Sequence, residues 1–410
     1  MIAYLLFFLL TFLVCRRFKS PVLNAVLLFY IAAAICGWYT HIYINPTPYY
    51  TFGSLVFHIC TLFLFLYPII VYAKYDKNRK IVLMKYHRFK RLSWALIILE
   101  LFSVGYFLYY DISLFTSGDL GALRNAMIYE GESYTGGGIL RTIAGVGAFY
   151  YCINILFFFY SLAFLNESKL FNTLLLISST SRILHAFSYI GRDGILFWGF
   201  SFVFSFLVFK SYLNTESKSF LKKISFVIGG FTLLLLTAIS VSRFESSDSG
   251  VLEGLIDYFG QPLNNFGQLY DKVHTYQGTI NILPWLYGSR GISGSDAVNF
   301  AETFYLQYGF KSNNFFTFIG SFYFAWGALI TFIVSLIYSL LMSIKIKGRR
   351  TDVAKLLLVM FVVQIVWHNY FYFIYGSRIG NLFMLTLPFF MLYCSGNSSP
   401  STPVLKDKNE

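Results

Sequence analysis

Long apolar stretches separated by short polar connections dominate this chain and restrict what it can fold into. Most of them have about the 20 residues that one crossing of a lipid bilayer requires. Backbone groups inside a bilayer must hydrogen bond to one another, so repeated stretches of this kind predict membrane-spanning helices. The composition agrees, because 57% of the residues are hydrophobic and only 12% are charged. We therefore predict an all-α polytopic integral membrane protein.

The connections between the apolar stretches alternate between strongly basic ones and neutral or acidic ones. Lys74–Arg91 carries eight Lys and Arg residues, Lys345–Lys355 carries five, and Cys15–Ser20 and Lys210–Lys223 are also basic. Connections rich in Lys and Arg stay in the cytoplasm, so this alternation orients the whole chain. The net charge of +13 is therefore interpreted as a topology and lipid-headgroup signal rather than as a nucleic-acid binding surface.

We predict about eleven transmembrane helices, which place the N-terminus in the periplasm and the C-terminus in the cytoplasm. They are residues 1–15, 22–42, 52–73, 92–110, 142–165, 170–190, 194–213, 224–241, 315–343, 356–375 and 380–395. Residues 1–395 then form a single transmembrane domain, and residues 396–410 form a disordered cytoplasmic tail. Every strongly basic connection falls on the cytoplasmic side of this arrangement.

Two predicted outer connections, residues 111–141 and 242–314, are longer than a turn needs. Within the longer one, apolar residues recur at helical spacing over residues 251–259, with Glu253 and Asp257 on the opposite side. This pattern predicts an amphipathic helix lying on the outer membrane face. Connections of such length are usually functional or disordered, and we expect the working surface of the protein in this one.

Arginine recurs beside glycine or serine in the predicted outer connections, where positive charge is otherwise rare. Arg192 lies in the motif GRDG, Arg290 in GSRG, Arg378 follows Gly-Ser, and Arg243 follows serine. Guanidinium groups bind phosphate oxygens in a bidentate manner, and adjacent glycines let backbone N–H groups approach an anion. The set predicts a site for a lipid diphosphate. The alternative is that each arginine only stabilises a turn or extends to the membrane surface.

A further arginine, Arg182, lies inside the sixth predicted span, where His185 and Tyr189 share its helix face. An arginine within a membrane faces the bundle interior or a wet cavity, and this position favours a functional role. The alternative is a structural arginine that pairs with Glu100 or another buried acid.

The candidate general base is His274 in the long outer connection, with a simple packing histidine as the alternative. The sequence contains no HExxH motif, no Asp-x-Asp pair in an outer connection and no glycine-rich phosphate loop. We therefore predict no metal site and no cofactor, and nucleotide chemistry is disfavoured.

With these features the chain resembles the Wzy-type polymerases of bacterial O-antigen, capsule and exopolysaccharide pathways, which are related to the O-antigen ligases. As architecture, the resemblance covers the whole chain. Residues 188–196 (SYIGRDGIL) are similar to that family's arginine motif at the entry to a mid-chain span, and residues 314–317 (NFFT) to its N-x-(F/Y)-T element. The family often places Asp-Phe-Gly after that element, whereas residues 324–327 (FAWG) here lack the acid.

The resemblance implies a GT-C-like fold and a membrane glycosyltransferase at the periplasmic face of the bacterial inner membrane. Its substrate would be an undecaprenyl-diphosphate-linked oligosaccharide, whose repeat units are polymerised. Arg192 and Arg290 would be catalytic groups with His274 as the base. The residues expected to bind diphosphate or sugar are Arg378, Arg182, Arg243 and Asn314. Membrane lipids and a chain-length regulator are the other expected partners, and nucleic acid is not one.

Two other classes remain open. An O-antigen ligase, which moves finished polysaccharide onto the lipid A core, shares the architecture and the arginine-rich outer connections. A lipid-linked oligosaccharide flippase would be a transporter, and transporters tend to have paired repeats with broken helices at matching positions. No internal repeat is visible in this sequence, so transport is the less favoured alternative.

Overall fold

In a computed structural model, the described part of the chain is almost entirely helical. The structure describes residues 1–44, 50–76, 79–116, 138–165, 167–224, 250–274, 303–309 and 315–395, together with residues 123, 136, 226, 230, 276, 282 and 283. The described residues fall into two compact units. Unit 1 lies within Met1–Ile81 and Ser249–Met384, and unit 2 lies within Val82–Asp248 and Leu385–Glu410.

Thirteen helices and two short strands make up the main described elements. In chain order they are α1 (Ile2–Cys15), α2 (Pro21–Tyr39), α3 (Phe52–Asp76), β1 (Lys80–Ile81), α4 (Tyr86–Thr116), α5 (Ile139–Phe149), α6 (Tyr151–Phe164), α7 (Lys169–Ser178), α8 (Ser181–Phe187), α9 (Asp193–Phe209), α10 (Val251–Lys272), α11 (Thr317–Ile346), β2 (Arg350–Thr351), α12 (Val353–Trp367) and α13 (Arg378–Ser395). Residues 215–224 and 303–308 are also helical.

Six of the described helical segments are long and apolar enough to cross a membrane, or seven if the bent pair α5–α6 counts as one span. The six are Pro21–Ile44, Phe52–Asp76, Tyr86–Leu114, Thr317–Ile346, Val353–Tyr370 and Arg378–Ser395. The predicted all-helical fold with several apolar helices of spanning length is therefore confirmed.

The predicted total of eleven spans stays a prediction. The first and seventh predicted spans are α1 and α9, with 14 and 17 residues, and the sixth is divided between α7 and α8. Most of the eighth, residues 224–241, lies outside the described residues, as does the predicted tail, residues 396–410. The fourth is longer than expected, because α4 continues to Thr116.

In unit 1, α10 packs against α2, α3 and α11, and α3 also packs against α11 and α12. The predicted amphipathic segment is thus a helix, and it extends beyond the predicted residues to Lys272. Leu263, Phe266 and Leu269 of its apolar side are buried, so this side contacts protein. Whether the helix also rests on a membrane face stays a prediction.

The strands of unit 1 join two of the basic connections. β1 and β2 form a parallel pair in which Lys80 is opposite Arg350 and Ile81 is opposite Thr351. At β1 the Arg79 guanidinium donates to the Tyr72 carbonyl oxygen at 3.0 Å, and it lies over the Tyr72 ring at 3.4 Å from the centroid. The strand pair joins the end of α3 to the start of α12, and the Arg79 contacts fix β1 to the end of α3.

In unit 2, α4 packs against α5, α6, α7 and α8, and α9 packs against α6 and α8. The helices here are interrupted at two points. A 41° bend separates α5 from α6, and residues Ser179 and Thr180 separate α7 from α8. The second break lies inside the predicted sixth span and divides it into two short helices.

A third interruption lies in unit 1, inside α11. Gly327 has φ 76° and ψ 178°, a combination that is essentially restricted to glycine. The ring of Tyr276 packs directly on Gly327, since a Cβ atom there would lie 2.7 Å from the ring carbon Cζ. α11 is therefore two helical pieces joined at a glycine that has no room for a side chain.

Candidate functional site

The strongest concentration of polar contacts among the predicted site residues surrounds Arg182 in unit 2. Its Nη2 atom lies 3.0 Å from Oδ2 of Asp193, and the two side chains are 2% and 8% exposed. Nη1 of Arg182 lies 2.9 Å from Nδ1 of His185. The Tyr189 hydroxyl also donates to Oδ2 of Asp193, at 2.9 Å. Arg182 and Tyr189 thus meet at a further residue, Asp193, while His185 contacts Arg182.

Aromatic rings surround the same guanidinium group. Cζ of Arg182 lies 5.0 Å from the ring centroid of Phe149 and 5.5 Å from that of Phe197, within the range of cation–π contact. Arg182 is therefore a buried, ion-paired arginine, as the structural alternative anticipated. Its acid is Asp193 and not Glu100, whose carboxylate oxygens have no hydrogen-bond partner among the described residues.

The turn between α8 and α9 follows from how α8 ends. The N–H of Ile190 donates to the Phe187 carbonyl and the N–H of Gly191 donates to the Ala186 carbonyl, both at 2.8 Å. This pair of bonds is a Schellman motif, whose closing residue adopts a left-handed conformation. That residue is Ile190, with φ 53°, a rare conformation for a β-branched side chain. The local strain indicates that the surroundings fix this turn firmly.

Gly194 explains the second glycine of the GRDG motif. A Cβ atom on Gly194 would lie 2.4 Å from Cβ of Ala186 and 2.5 Å from the Arg182 carbonyl oxygen. The first turn of α9 therefore lies directly on α8, and this close approach brings Asp193 within reach of Arg182. A carboxylate in the first turn of a helix is also favoured by the helix dipole.

Arg192 immediately precedes α9 and is 6% exposed. It lies on the same fixed turn as Asp193, with the N-terminus of the 17-residue helix α9 behind it. Sequence reasoning selected Arg192 and Arg182, and the structure places both in this one segment of unit 2. Sequence reasoning missed Asp193, although this residue follows Arg192 in the GRDG motif. The sequence did contain a signal for the ion pair, namely an acid in the first turn of a helix, eleven residues after a buried arginine.

In unit 1, His274 follows α10 and its side chain is exposed. The backbone just before it is anchored, because the Tyr323 hydroxyl lies 3.0 Å from the carbonyl oxygens of both Tyr270 and Val273. Arg378 is exposed at the first residue of α13. The remaining predicted site residues, Arg290, Arg243 and Asn314, lie outside the described residues.

A second polar cluster in unit 1 was not predicted and centres on His58 of α3. Nδ1 of His58 contacts the Tyr4 hydroxyl, and Nε2 lies 3.2 Å from Oγ1 of Thr317. The imidazole ring also stacks on Phe266 of α10, with centroids 4.0 Å apart. One buried histidine therefore connects α1, α3, α10 and α11. No spacing in the sequence could have revealed this, because the four helices are distant along the chain.

Thr317 is the last residue of the NFFT element and the first residue of α11. It is buried and has φ 67°, a strained conformation for a β-branched residue. Next to it, the Asn265 side chain donates to the Phe315 carbonyl oxygen at 3.2 Å. The described part of the element is thus held at the contact between α10 and the head of α11.

No model of a known protein family, no curated protein and no solved structure matches this chain. Assignment of a function therefore depends on the residues themselves. The arrangement offers a fixed, arginine-bearing turn at a helix N-terminus in unit 2. In unit 1 it offers a helix from the long connection that is packed onto apolar helices and is followed by an exposed histidine.

Proposed function

We propose that the protein polymerises undecaprenyl-diphosphate-linked oligosaccharide repeat units at the periplasmic face of a bacterial inner membrane. The observation that carries the proposal is the turn before α9, where the Arg182–Asp193 ion pair fixes the backbone that presents Arg192. Backbone N–H groups at a helix N-terminus and an adjacent guanidinium are the groups that bind phosphate oxygens. The eleven-span topology with a periplasmic N-terminus is part of the proposal.

The roles of the two arginines differ within this proposal. Arg192 stabilises the departing diphosphate, together with Arg290, and Arg378, Arg243 and Asn314 bind diphosphate or sugar. Arg182 acts through Asp193 and is a positioning residue, since its guanidinium group is occupied by the ion pair. A buried guanidinium such as Arg192 interacts with an anion more strongly than one in water, because the surrounding dielectric is lower.

The chemistry requires one bond to form and one to break at the anomeric carbon. A hydroxyl oxygen of the acceptor sugar attacks that carbon, the bond to the phosphate oxygen breaks, and the electron pair leaves with undecaprenyl diphosphate. The hydroxyl proton passes to a base, for which His274 is the candidate because its side chain is exposed on an anchored segment. Positive charge beside the departing diphosphate lowers the barrier.

The test is a gel of surface polysaccharide from a strain that lacks the gene, complemented with variants of the full chain. We expect deletion to collapse the ladder to core plus one repeat. Arg192→Lys should shorten the chains at unchanged protein abundance, because an ammonium group cannot replace a bidentate guanidinium. Arg91→Lys is the matched control, since Arg91 is exposed in a basic connection and should leave the ladder intact.

Other results would redirect the assignment. An unchanged ladder in the deletion strain contradicts the proposal. Loss of every repeat from the core, with lipid-linked polymer accumulating in the membrane, would indicate an O-antigen ligase.

A flippase is the second candidate, and the interrupted helices favour it. Breaks at Tyr150, at Ser179 and Thr180, and at Gly327 resemble the discontinuous helices of transporters. Accumulation of single lipid-linked units on the cytoplasmic side, without any polymer, would support this candidate over the polymerase.

A further inference from the structure

Three basic connections of unit 1, far apart in sequence, come together in the fold. We refer to them as the basic surface, which comprises residues 16–20, 79–81 and 345–352. The Ser20 hydroxyl donates to Oδ2 of Asp76 at 2.6 Å, and Nε of Arg79 lies 3.4 Å from Oδ1 of the same carboxylate. The Lys80 N–H donates to the Arg349 carbonyl oxygen at 2.9 Å. Asp76 therefore links the first connection to the second, and the strand pair β1–β2 links the second to the third.

The positive charge of the basic surface is exposed and is not balanced by acids among the described residues. Eight of its Lys and Arg side chains are exposed, three in the first connection, one in the second and four in the third. None of the eight forms an ion pair with a described residue. The two neighbouring acids are already engaged, Asp76 by Ser20 and Arg79, and Asp352 by the backbone N–H of Lys355 at 2.9 Å. The surface therefore attracts an anion from outside the described chain.

The strand pair sets two of these positive charges directly beside each other. Lys80 is opposite Arg350 in the parallel register, and both side chains are exposed. Their neighbours Ile81 and Thr351 are buried, at 1% and 0% exposure, as expected for side chains that alternate between the faces of a strand. Like charges directly opposite each other destabilise a strand pair. A phosphate group beside both side chains would relieve this repulsion, since Lys and Arg each donate charge-assisted hydrogen bonds to phosphate oxygens.

The basic surface lies where helices of membrane-spanning length begin and end. α2 and α12 begin beside it, and α3 and α11 end beside it, which is the depth at which lipid headgroups border the hydrocarbon core. Exposed apolar side chains precede its charges along the same helices. Leu341 and Ile344 of α11 come just before Lys345, and Val14 of α1 comes just before Arg16. A ligand that carries both a phosphate and apolar chains would contact both kinds of side chain, whereas a free phosphate would contact only the charges.

We propose that the basic surface binds the phosphate headgroup of an anionic phospholipid, whose acyl chains pack on the exposed apolar side chains of α1 and α11. Clusters of Lys and Arg at the ends of membrane helices attract anionic lipid headgroups. An acidic soluble protein would complement the charges but not the apolar side chains. The bound lipid contacts all three connections, so it stabilises the place where the N-terminal helices of unit 1 meet α11 and α12.

The test uses the full chain purified in a neutral detergent and titrated with cardiolipin, with bound lipid counted by native mass spectrometry. We expect saturable binding of cardiolipin and none of phosphatidylcholine, which has no net charge. The double variant Lys80→Gln with Arg350→Gln should need at least about tenfold more cardiolipin, because each basic residue near an anionic headgroup contributes roughly a fivefold change in affinity. This readout does not involve polysaccharide, so its failure is independent of the proposed function.

The matched control is the double variant Lys218→Gln with Lys222→Gln. It removes the same net charge from two exposed side chains of another basic connection, in unit 2, and it should keep the affinity for cardiolipin. A second test variant, Arg16→Gln with Lys19→Gln, changes the first connection and should weaken binding as the strand variant does. If the strand variant does not fold, this second variant carries the test, and an unchanged titration with it would overturn the proposal.

Three other outcomes would also overturn it. Equal weakening by the test and control variants would mean that total charge, not this surface, attracts the lipid. Displacement of cardiolipin by an equal concentration of inorganic phosphate would mean a site for a free anion. Binding of phosphatidylcholine as tight as that of cardiolipin would mean that only the apolar side chains contribute.

Discussion

Gly260 of α10 rests on Gly37 of α2 with no side chain between the two backbones. A Cβ atom on Gly260 would lie 2.6 Å from the Gly37 nitrogen. The Asn264 side chain donates to the Gly37 carbonyl oxygen at 2.9 Å, so the contact is also hydrogen bonded. Close approach of this kind between helices depends on small residues. The long connection is thereby attached to the helices at a point that tolerates no added atom.

Gly260→Ala should therefore destabilise the protein, by about 1–3 kcal/mol, because the new methyl group must displace the α2 backbone. The measurement is the melting temperature of the purified protein in detergent. Gly105→Ala in α4 is the control, since a methyl group added there has open space around it, with no atom within 4 Å. Equal melting temperatures for the two variants would show that α10 and α2 do not meet at Gly260.

Breaking the ion pair between Arg182 and Asp193 should lower the free energy of unfolding. Arg182→Gln or Asp193→Asn each leaves an uncompensated buried partner, and we expect losses of about 3–5 kcal/mol. The double variant should lose much less than the sum, because neither charge is then left alone. A cycle of melting temperatures over the four proteins measures this coupling, and strictly additive losses would contradict the ion pair.

Two substitutions at Thr317 distinguish the effect of backbone strain on stability from the effect of the hydrogen bond at the first residue of α11. Thr317→Ser keeps the hydroxyl that contacts His58 and removes the β-branch, so its stability should equal or exceed that of the unaltered chain. Thr317→Val keeps the branch and removes the hydroxyl, and it should lose about 1–3 kcal/mol. Melting temperatures in the opposite order would argue against the contact with His58.

Gly327 should not accept a side chain. Its backbone conformation is reserved for glycine, and the Tyr276 ring occupies the space, so Gly327→Ala should cost about 1–3 kcal/mol from strain alone. Gly199→Ala in α9 is the matched control, since its methyl group would meet nothing within 4 Å. If the two variants have the same melting temperature, α11 is not interrupted at Gly327.

Asp257 gives α10 a dependence on pH. Burial raises the pKa of this carboxyl, so the folded state favours the protonated form. The contribution of Asp257 to the free energy of unfolding is therefore greatest below the usual Asp pKa of about 4 and falls as pH rises through the raised value. Asp257→Asn should remove this fall and melt higher than the unaltered chain at about pH 7, where the carboxyl is otherwise charged. Glu253→Gln, on the exposed side of the same helix, should keep the fall of stability with rising pH. Identical profiles of melting temperature against pH for both variants would contradict the prediction.

The sequence predicts most of what depends on local pattern and little of what depends on long-range contact. Apolar length identifies the spans from α2 to α4 and from α11 to α13, and apolar periodicity identifies the start of α10. The break at Ser179 escapes prediction, because Ser and Thr are tolerated inside membrane helices and only their neighbours reveal whether the helix stops. The end of α4 is not predicted either. An acid such as Asp111 usually indicates the membrane surface, whereas Asp111 here is buried inside a helix that continues to Thr116.

Within the candidate site, the same division applies to individual residues. Arg182 is conspicuous because a charge in an apolar run is rare, and its grouping with His185 and Tyr189 follows from helical spacing. The roles of Asp193 and His58 cannot be predicted from local sequence pattern. Asp193 reaches Arg182 only because the α8 turn reverses the chain, and His58 acquires its role from three helices that lie far away in sequence.

The interleaved arrangement of unit 1 has a consequence for biosynthesis. Its N-terminal helices leave the ribosome before residues 82–248, yet their partners α10, α11 and α12 follow that segment. At ordinary synthesis rates the delay is on the order of ten to thirty seconds. During that interval β1 has no strand to pair with, and Gly37 and His58 have none of their later neighbours. Until then α1, α2 and α3 can pack only against one another, while α4 to α9 can already assemble with one another.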